Sequence, residues 1–223
     1  MGLLLDRIRD GRQPIPDFPA TFQQFKLSLQ SGIAFITFEY GVDGVTIEVK
    51  KYAQIFNSII QKATQKPAKI YWIGSELNVK NADLGENCQF LFLKGADGFD
   101  KWDGYTDYFF TKLSRGSEIY NELAKKIWTQ TVNLSLQLGK FIVEHDINLL
   151  IPVNANSNPG NVSLAFAIVL VSEIMGVPVL NSNHDFYWED GAPPGKTRNP
   201  GQRDHFFTNH HLGEVFSLIE MLY

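Results

Sequence analysis

A strand, a glycine turn, a helix and a second strand follow one another between Ile33 and Ile73, and this run constrains the fold most. Ile33 to Phe38 ("IAFITF") carries no charge and is β-branched or aromatic almost throughout, the pattern of a strand buried on both faces. From Val45 to Lys66, Val45, Val49, Tyr52, Ala53, Phe56, Ile59 and Ile60 recur at helical spacing with lysines and glutamines between them. Pro67 stops that helix because it has no N–H to donate, and Ile70 to Ile73 ("IYWI") forms a second strand closed by Gly74. Two buried strands joined by a helix make a βαβ unit, since parallel neighbours need a crossover long enough to hold one.

The same alternation continues downstream. Phe90 to Leu93 predicts a strand, "KGADGFDKWDGYTD" a turn-rich loop, and Ile119 to Glu144 a long helix that Gly139 can interrupt. Ile147 to Val153 predicts a strand, Asn161 to Met175 a helix, Val177 to Leu180 another strand, and Leu212 to Leu222 a last helix. The expected class is α/β, with a mostly parallel β-sheet flanked by helices on both faces. Three prolines in "RQPIPDFP" mark residues 1–31 as an N-terminal extension or connector, which leaves 32–223 as one folded domain.

Composition narrows the functional classes. A net charge of -4 disfavours broad nucleic-acid or anionic-membrane binding, and the 17 phenylalanines fit a core better than a base-stacking platform. Cys88 is the only cysteine, so neither an intrachain disulfide nor a thiolate metal cluster is available. No run reaches the roughly 18 apolar residues of a membrane span, and the apolar stretch in "MGLLLDR" is too short for a secretion signal. A cytoplasmic location is the expectation.

In open parallel sheets, ligands collect outside the carboxyl ends of the strands. Three polar segments follow three of the expected strands. In Glu39–Gly44, the glycines flanking Val42 and Asp43 would let backbone N–H groups approach a phosphate at the helix start. The same residues serve equally as a tight turn in which Asp43 or Thr46 caps the helix; neither a GxGxxG nor a Walker loop is present. In "NANSNPGN", Asn-Pro-Gly is turn chemistry and Asn161 or Ser163 a helix cap, whereas Asn154, Asn156 and Ser157 offer amide and hydroxyl groups suited to sugar hydroxyls. In "NSNHDFYWEDG", His184 ends an apolar strand, with Asp185, Tyr187, Trp188 and Glu189 beside it. Aromatics next to acids suit a sugar: the rings take its C–H surface and the carboxylates accept its hydroxyl protons. The spacing of His184, Asp185, Glu189, His205, His210 and His211 matches no familiar metal motif, so no metal is expected. No GxSxG elbow exists, which disfavours an esterase or protease.

The run "FITFEYGVDGVTIEVKKYAQIF" and the later "INLLIPVNANSNPGNVSLAFAIVLVSEIMGVPVLNSNHDFYWED" resemble the N-terminal half of retaining glycosyltransferases of the GT-B fold, in particular the sucrose-phosphate-synthase-like group of glycosyltransferase family four. The likeness covers about Ile33 to Asp190 and is strongest over 147–190. It implies a Rossmann-like acceptor-side domain in which Gly41, Val42, Asp43 and Gly44 face the diphosphate of a nucleotide-sugar donor. It implies that His184 is catalytic, beside the transferred sugar. Asn154, Asn156, Ser157, Asn183, Asp185, Tyr187, Trp188 and Glu189 would then bind a sugar or polyol acceptor, and Arg198 and Arg203 an anionic group on it. No cofactor beyond the donor substrate is implied. Members of the family carry a second Rossmann-like domain with a spaced glutamate pair that this chain lacks. The expectation is therefore a half-enzyme, inactive alone, whose partner is the C-terminal domain of the same polypeptide. The loop "EDGAPPGKTRNPGQRD" departs from the family pattern by its length and could be a lid or an insertion. The alternatives are a stand-alone sugar- or nucleotide-sensing module and a phosphorylase or epimerase half of the same layout.

Overall fold

A computed structural model describes residues 21–79, 84–85, 87–111, 113–114, 116–157 and 160–184. In chain order the elements are α1 (Phe22–Ser28), β1 (Ile33–Ile36), β2 (Glu39–Tyr40), α2 (Gly44–Thr64), β3 (Ile70–Gly74), β4 (Glu76–Leu77), β5 (Cys88–Phe92), a 3-10 turn (Phe99–Lys101), α3 (Tyr105–Phe110), α4 (Glu118–Glu144), β6 (Leu149–Pro152) and α5 (Val162–Met175). The main sheet has the order β5-β3-β1-β6, all parallel, with Phe35 opposite Trp72 on one side and Ile151 on the other. Residues 177–182 run alongside β6 in parallel: the Leu150 N–H donates to Pro178 O, and the Leu180 N–H to Leu150 O. The expected strand Val177–Leu180 is thus present as bridges rather than a full ladder. Pro178 has no N–H to give, and the segment lies on an edge with Leu180 half exposed.

Alternation along β1 divides the core. Ile33 and Phe35 point to the α2 face, where they meet Val49, Ala53, Ile60 and Trp72. Ala34 and Ile36 point to the opposite face, against Leu134, Leu138 and Ile142 of α4 and Leu164, Ile168 and Val171 of α5. All four β1 residues are fully buried, and each large one contributes about 1.5–3 kcal/mol by leaving water. The α/β class and the Rossmann-like parallel sheet covered on both faces are as expected. Two details differ. α4 runs unbroken through Gly139, which is buried in line with Thr131 and Ser135; these small side chains sit where α4 packs on α5, and Thr131 hydrogen-bonds Ser163 O at 3.4 Å. Within the expected connector, Phe22–Ser28 is helical and Leu29 enters the core, so the folded body begins before residue 32. The expected helix Leu212–Leu222 and the loop 189–204 lie outside the described residues.

From β1 the chain builds outward to β3 and then β5, and returns across β1 to add β6. The direction reverses between β1 and β6, so the crevice beyond their carboxyl ends is where ligands bind in such sheets.

Candidate functional site

A cleft of about 250 Å³ occupies that crevice, lined by Thr37, Phe38, Glu39, Asp43, Val45, Gly98, Phe99, Asp100, Lys101 and Asn154. Its first wall continues β1. Beyond the main sheet, β2 and β4 pair in parallel and set Glu39 directly opposite Glu76. Like charges in register repel. Lys101 relieves this by donating to Glu39 and, at 3.1 Å, to Glu76. The two carboxylates hold the Lys101 ammonium well above the usual lysine range, and Lys101 pulls the Glu76 carboxyl below the usual carboxylate range. Behind them Tyr40 is fully buried and donates to Phe35 O at 2.9 Å; burial raises its phenol well above the ordinary value.

The glycine loop leads from β2 into α2. Asp43 is the N-cap: its Oδ1 accepts from the Thr46 N–H at 2.7 Å, while the Gly41 N–H donates to Thr46 Oγ1 at 2.9 Å. The capping role foreseen for this loop is realised, and a carboxylate occupies part of the helix start. Gly44 and Val45 lie in the first turn, where backbone N–H groups have no intrahelical acceptor. Val42 is almost fully exposed.

The second wall is the segment 95–101. Asn161, the N-cap of α5, also donates to Gly95 O at 3.1 Å and Asp97 O at 2.8 Å, anchoring the segment. The Phe99 N–H donates to Gly160 O at 2.8 Å, and Phe99 has a φ of 55°, the left-handed region that bulky residues avoid.

The third wall belongs to β6 and the edge segment. Asn154, also left-handed at φ 56°, lines the cleft and accepts the His184 N–H on Oδ1 at 2.8 Å. His184 Nε2 lies 3.0 Å from Ser182 Oγ and 3.0 Å from Glu48 Oε2, one turn into α2. A carboxylate only accepts, so this contact favours a proton on Nε2 and leaves Nδ1 as the acceptor nitrogen of the neutral ring. Tyr52, one turn after Glu48, is raised above the ordinary tyrosine value, chiefly by Glu48 beside it. His184, Glu48, Ser182 and Tyr52 therefore form one polar cluster, joined to the cleft through Asn154.

The structure brings Asp43, Asn154 and His184 to one edge, with Asn183 exposed beside them. Asn156 and Ser157 are instead fully buried and do not line the cleft. Asn156 Nδ2 donates to Asn181 Oδ1 at 2.9 Å, tying β6 to the edge segment. Asp185, Tyr187, Trp188, Glu189, Arg198 and Arg203 lie outside the described residues. Sequence reasoning missed Phe99 and Lys101, which sit in a loop that read as turns, and Glu48, whose only signal was its spacing from Tyr52 on one helix face.

Fold and site together define a Rossmann-like α/β domain with a cleft at the point where strand order reverses, its apolar lining rimmed by charged groups. Comparisons with protein-family models, curated proteins and solved structures found no match. No helix among the described residues is long and apolar enough to cross a membrane.

Proposed function

We propose that this chain is the acceptor-side half of a retaining glycosyltransferase, which moves a sugar from a nucleotide-sugar donor to a sugar or polyol acceptor. The observation that carries the reading is His184 at the carboxyl edge of the sheet, its backbone fixed by Asn154 and its imidazole by Glu48 and Ser182. A ring oriented in this way can accept a hydrogen bond from a sugar hydroxyl on Nδ1, and the ring stays neutral in doing so. Transfer with retention can proceed by electrostatic stabilisation, in which preorganised donors neutralise the departing diphosphate while the acceptor attacks the same sugar face. In this reading the Gly44 and Val45 amides approach the diphosphate. The neutralising cations come from beyond the described residues, including a nucleotide-sugar-binding second half of the polypeptide. The cytoplasm, where nucleotide sugars are made and used, is the proposed location.

The test is His184→Ala in the full-length polypeptide, assayed for sugar transfer from a panel of nucleotide sugars. Loss of one oriented hydrogen bond should lower turnover on the order of tenfold to a hundredfold while the circular dichroism spectrum stays unchanged. Undiminished transfer by the variant would remove His184 from the site. A 223-residue chain that binds a nucleotide sugar tightly by itself would favour a sensing module instead.

A further inference from the structure

Phe99 sits in a crowded seat on the cleft wall. Three local concessions hold this ring where it is. Phe99 adopts a positive φ. A Cβ on Gly98 would stand 2.4 Å from the Phe38 ring, so only glycine fits before it. A Cβ on Gly160 would stand 2.7 Å from Phe99 N and 2.9 Å from its ring, so only glycine fits beneath it. Such crowding usually serves to bury an aromatic. Here the residue is still 37% exposed and forms part of the cleft wall. Phe38 and Tyr105 clamp it with T-shaped contacts at 5.3 and 5.8 Å, which fixes the ring's orientation. Backbone outliers that the surroundings over-determine cluster at ligand sites.

The charges around the ring indicate what it receives. Glu39, Asp43 and Asp100 line the cleft against a single cation, Lys101. Lys101 is already shared between Glu39 and Glu76, and Asp43 takes the Thr46 N–H and adds a carboxylate to the cleft wall. Among the described residues, then, the cleft offers a phosphate no uncommitted cation. It does offer hydroxyl groups carboxylate and amide acceptors, next to an oriented ring and the apolar Val45.

We infer that Phe99 is the stacking platform of this cleft and that its ligand is an uncharged sugar or polyol rather than a sugar phosphate. The inference rests on the proposed transfer reaction only for calling that ligand the acceptor; the binding claim stands without it. The apolar C–H face of the sugar lies on Phe99, and its hydroxyls donate to Glu39, Asp100 and Asn154 Oδ1.

Saturation-transfer-difference NMR on the 223-residue chain tests this, because it detects millimolar binding. The probes are glucose, fructose and glycerol, each beside its monophosphate. The expected result is transfer to the C–H protons of at least one uncharged probe, with its phosphate bound at least about fivefold more weakly, the scale of a few exposed charge contacts. Phe99→Ala should weaken the uncharged probe about tenfold, and Phe99→Tyr should restore it. Should Phe99→Ala fail to fold, Asp100→Lys at the exposed rim should shift preference toward the phosphate by about fivefold. Binding of no uncharged probe, tighter binding of a phosphate by the unmodified chain, or indifference to both Phe99→Ala and Asp100→Lys would each overturn the inference. Phe99-dependent sugar binding in a full-length polypeptide that transfers nothing would leave the inference standing and sink the transferase reading. Transfer to a sugar phosphate alone would do the reverse.

Discussion

The two ends of the central sheet are built from the same strands and differ in how many side chains they tie together across segments. At the amino end the backbone closes on itself: the Ile33 N–H donates to Lys69 O, Asn148 N–H to Gly32 O and Ile70 N–H to Asn87 O. The side chain of Asn148 is spent on Ser28 O. Positive φ there falls on Gln65, Asn87 and Asp146, in turns that lead into strands; Asn and Asp tolerate that conformation, and Gln65 is a helix C-cap. At the carboxyl end the backbone also closes, with Ser75 N–H on Phe38 O and Val153 N–H on Ile36 O, and side chains add further links across Lys101 with Glu39 and Glu76, Asn154 with His184, and Asn156 with Asn181. Positive φ there falls on Phe99 and Asn154, both of which line the cleft. One end is finished for stability. The other keeps one strained residue, Phe99, and several polar groups facing a cavity, which is how sites are usually assembled on this sheet type.

If that contrast is right, damage to the amino end should cost stability and leave ligand recognition intact in whatever remains folded. Ile33 is fully buried where β1 begins, so Ile33→Ala should lower unfolding stability by about 2–5 kcal/mol, read from the midpoint of a urea titration. Sugar binding per folded molecule should not change. A variant that stays stable but loses binding would show the two ends to be coupled. Gly98→Ala tests the other end. Its Cβ meets the ring of buried Phe38, and relieving that overlap moves either Phe38 or Phe99. The expected cost is smaller, about 1–3 kcal/mol, and sugar binding should fall with it. Loss of stability with unaltered binding would mean that Phe99 is packing and nothing more.

The amino end was also the legible one. Its strands are uncharged runs whose burial shows in the letters, and α2 is bracketed by a cap at Asp43 and a stop at Pro67. The carboxyl end was legible only where a polar group follows a strand directly, as Asn154 and His184 do. Lys101 meets Glu39 across a gap of 62 residues, and that pairing depends on β2 and β4 lying side by side, which short-range periodicity does not encode. Phe99 was hidden for a related reason. The sequence "ADGFDKW" reads as a turn whether its aromatic is seated at a site or folded into the core, and only the overlap with Phe38 and Gly160 separates the two. Asn156 and Ser157 failed in the other direction: polar residues after a strand suggested a site, but the chain turns them inward.

Asn154 separates backbone from side chain within the carboxyl end. Glycine accepts its positive φ without strain, so Asn154→Gly removes the side chain, with the Oδ1 that receives the His184 N–H, and leaves the backbone relaxed. Stability should drop by about 0.5–1.5 kcal/mol, the net worth of one hydrogen bond. Amide hydrogen exchange at His184 should accelerate, whereas the amide of Val153, which donates to Ile36 O, should not. Asn154→Ala should cost more, because the left-handed backbone strain is added to the lost bond. Equal effects of the two substitutions would mean that the backbone at residue 154 leaves the left-handed region when alanine replaces asparagine.

The smallest effect expected belongs to Ser157, and its sign is what matters. Its hydroxyl is fully buried and has no hydrogen-bond partner among the described residues; Asn156 Oδ1 next to it is also unpaired. A buried hydroxyl with no partner loses its hydration and gains nothing in return, so removing it relieves a penalty. Ser157→Ala should therefore be neutral or stabilising by up to about 1 kcal/mol, seen as an unchanged or raised urea midpoint, whereas deleting a satisfied buried serine costs about that much. Both residues follow Asn154 closely in the chain, so the outcome bears on the contrast between the two ends. A stabilising substitution means that the carboxyl end carries unspent polar capacity into its interior, as expected where function and not stability has set the residues. A loss of 1 kcal/mol or more would mean that Ser157 is bonded in solution, and this edge would then be as fully closed as the amino end.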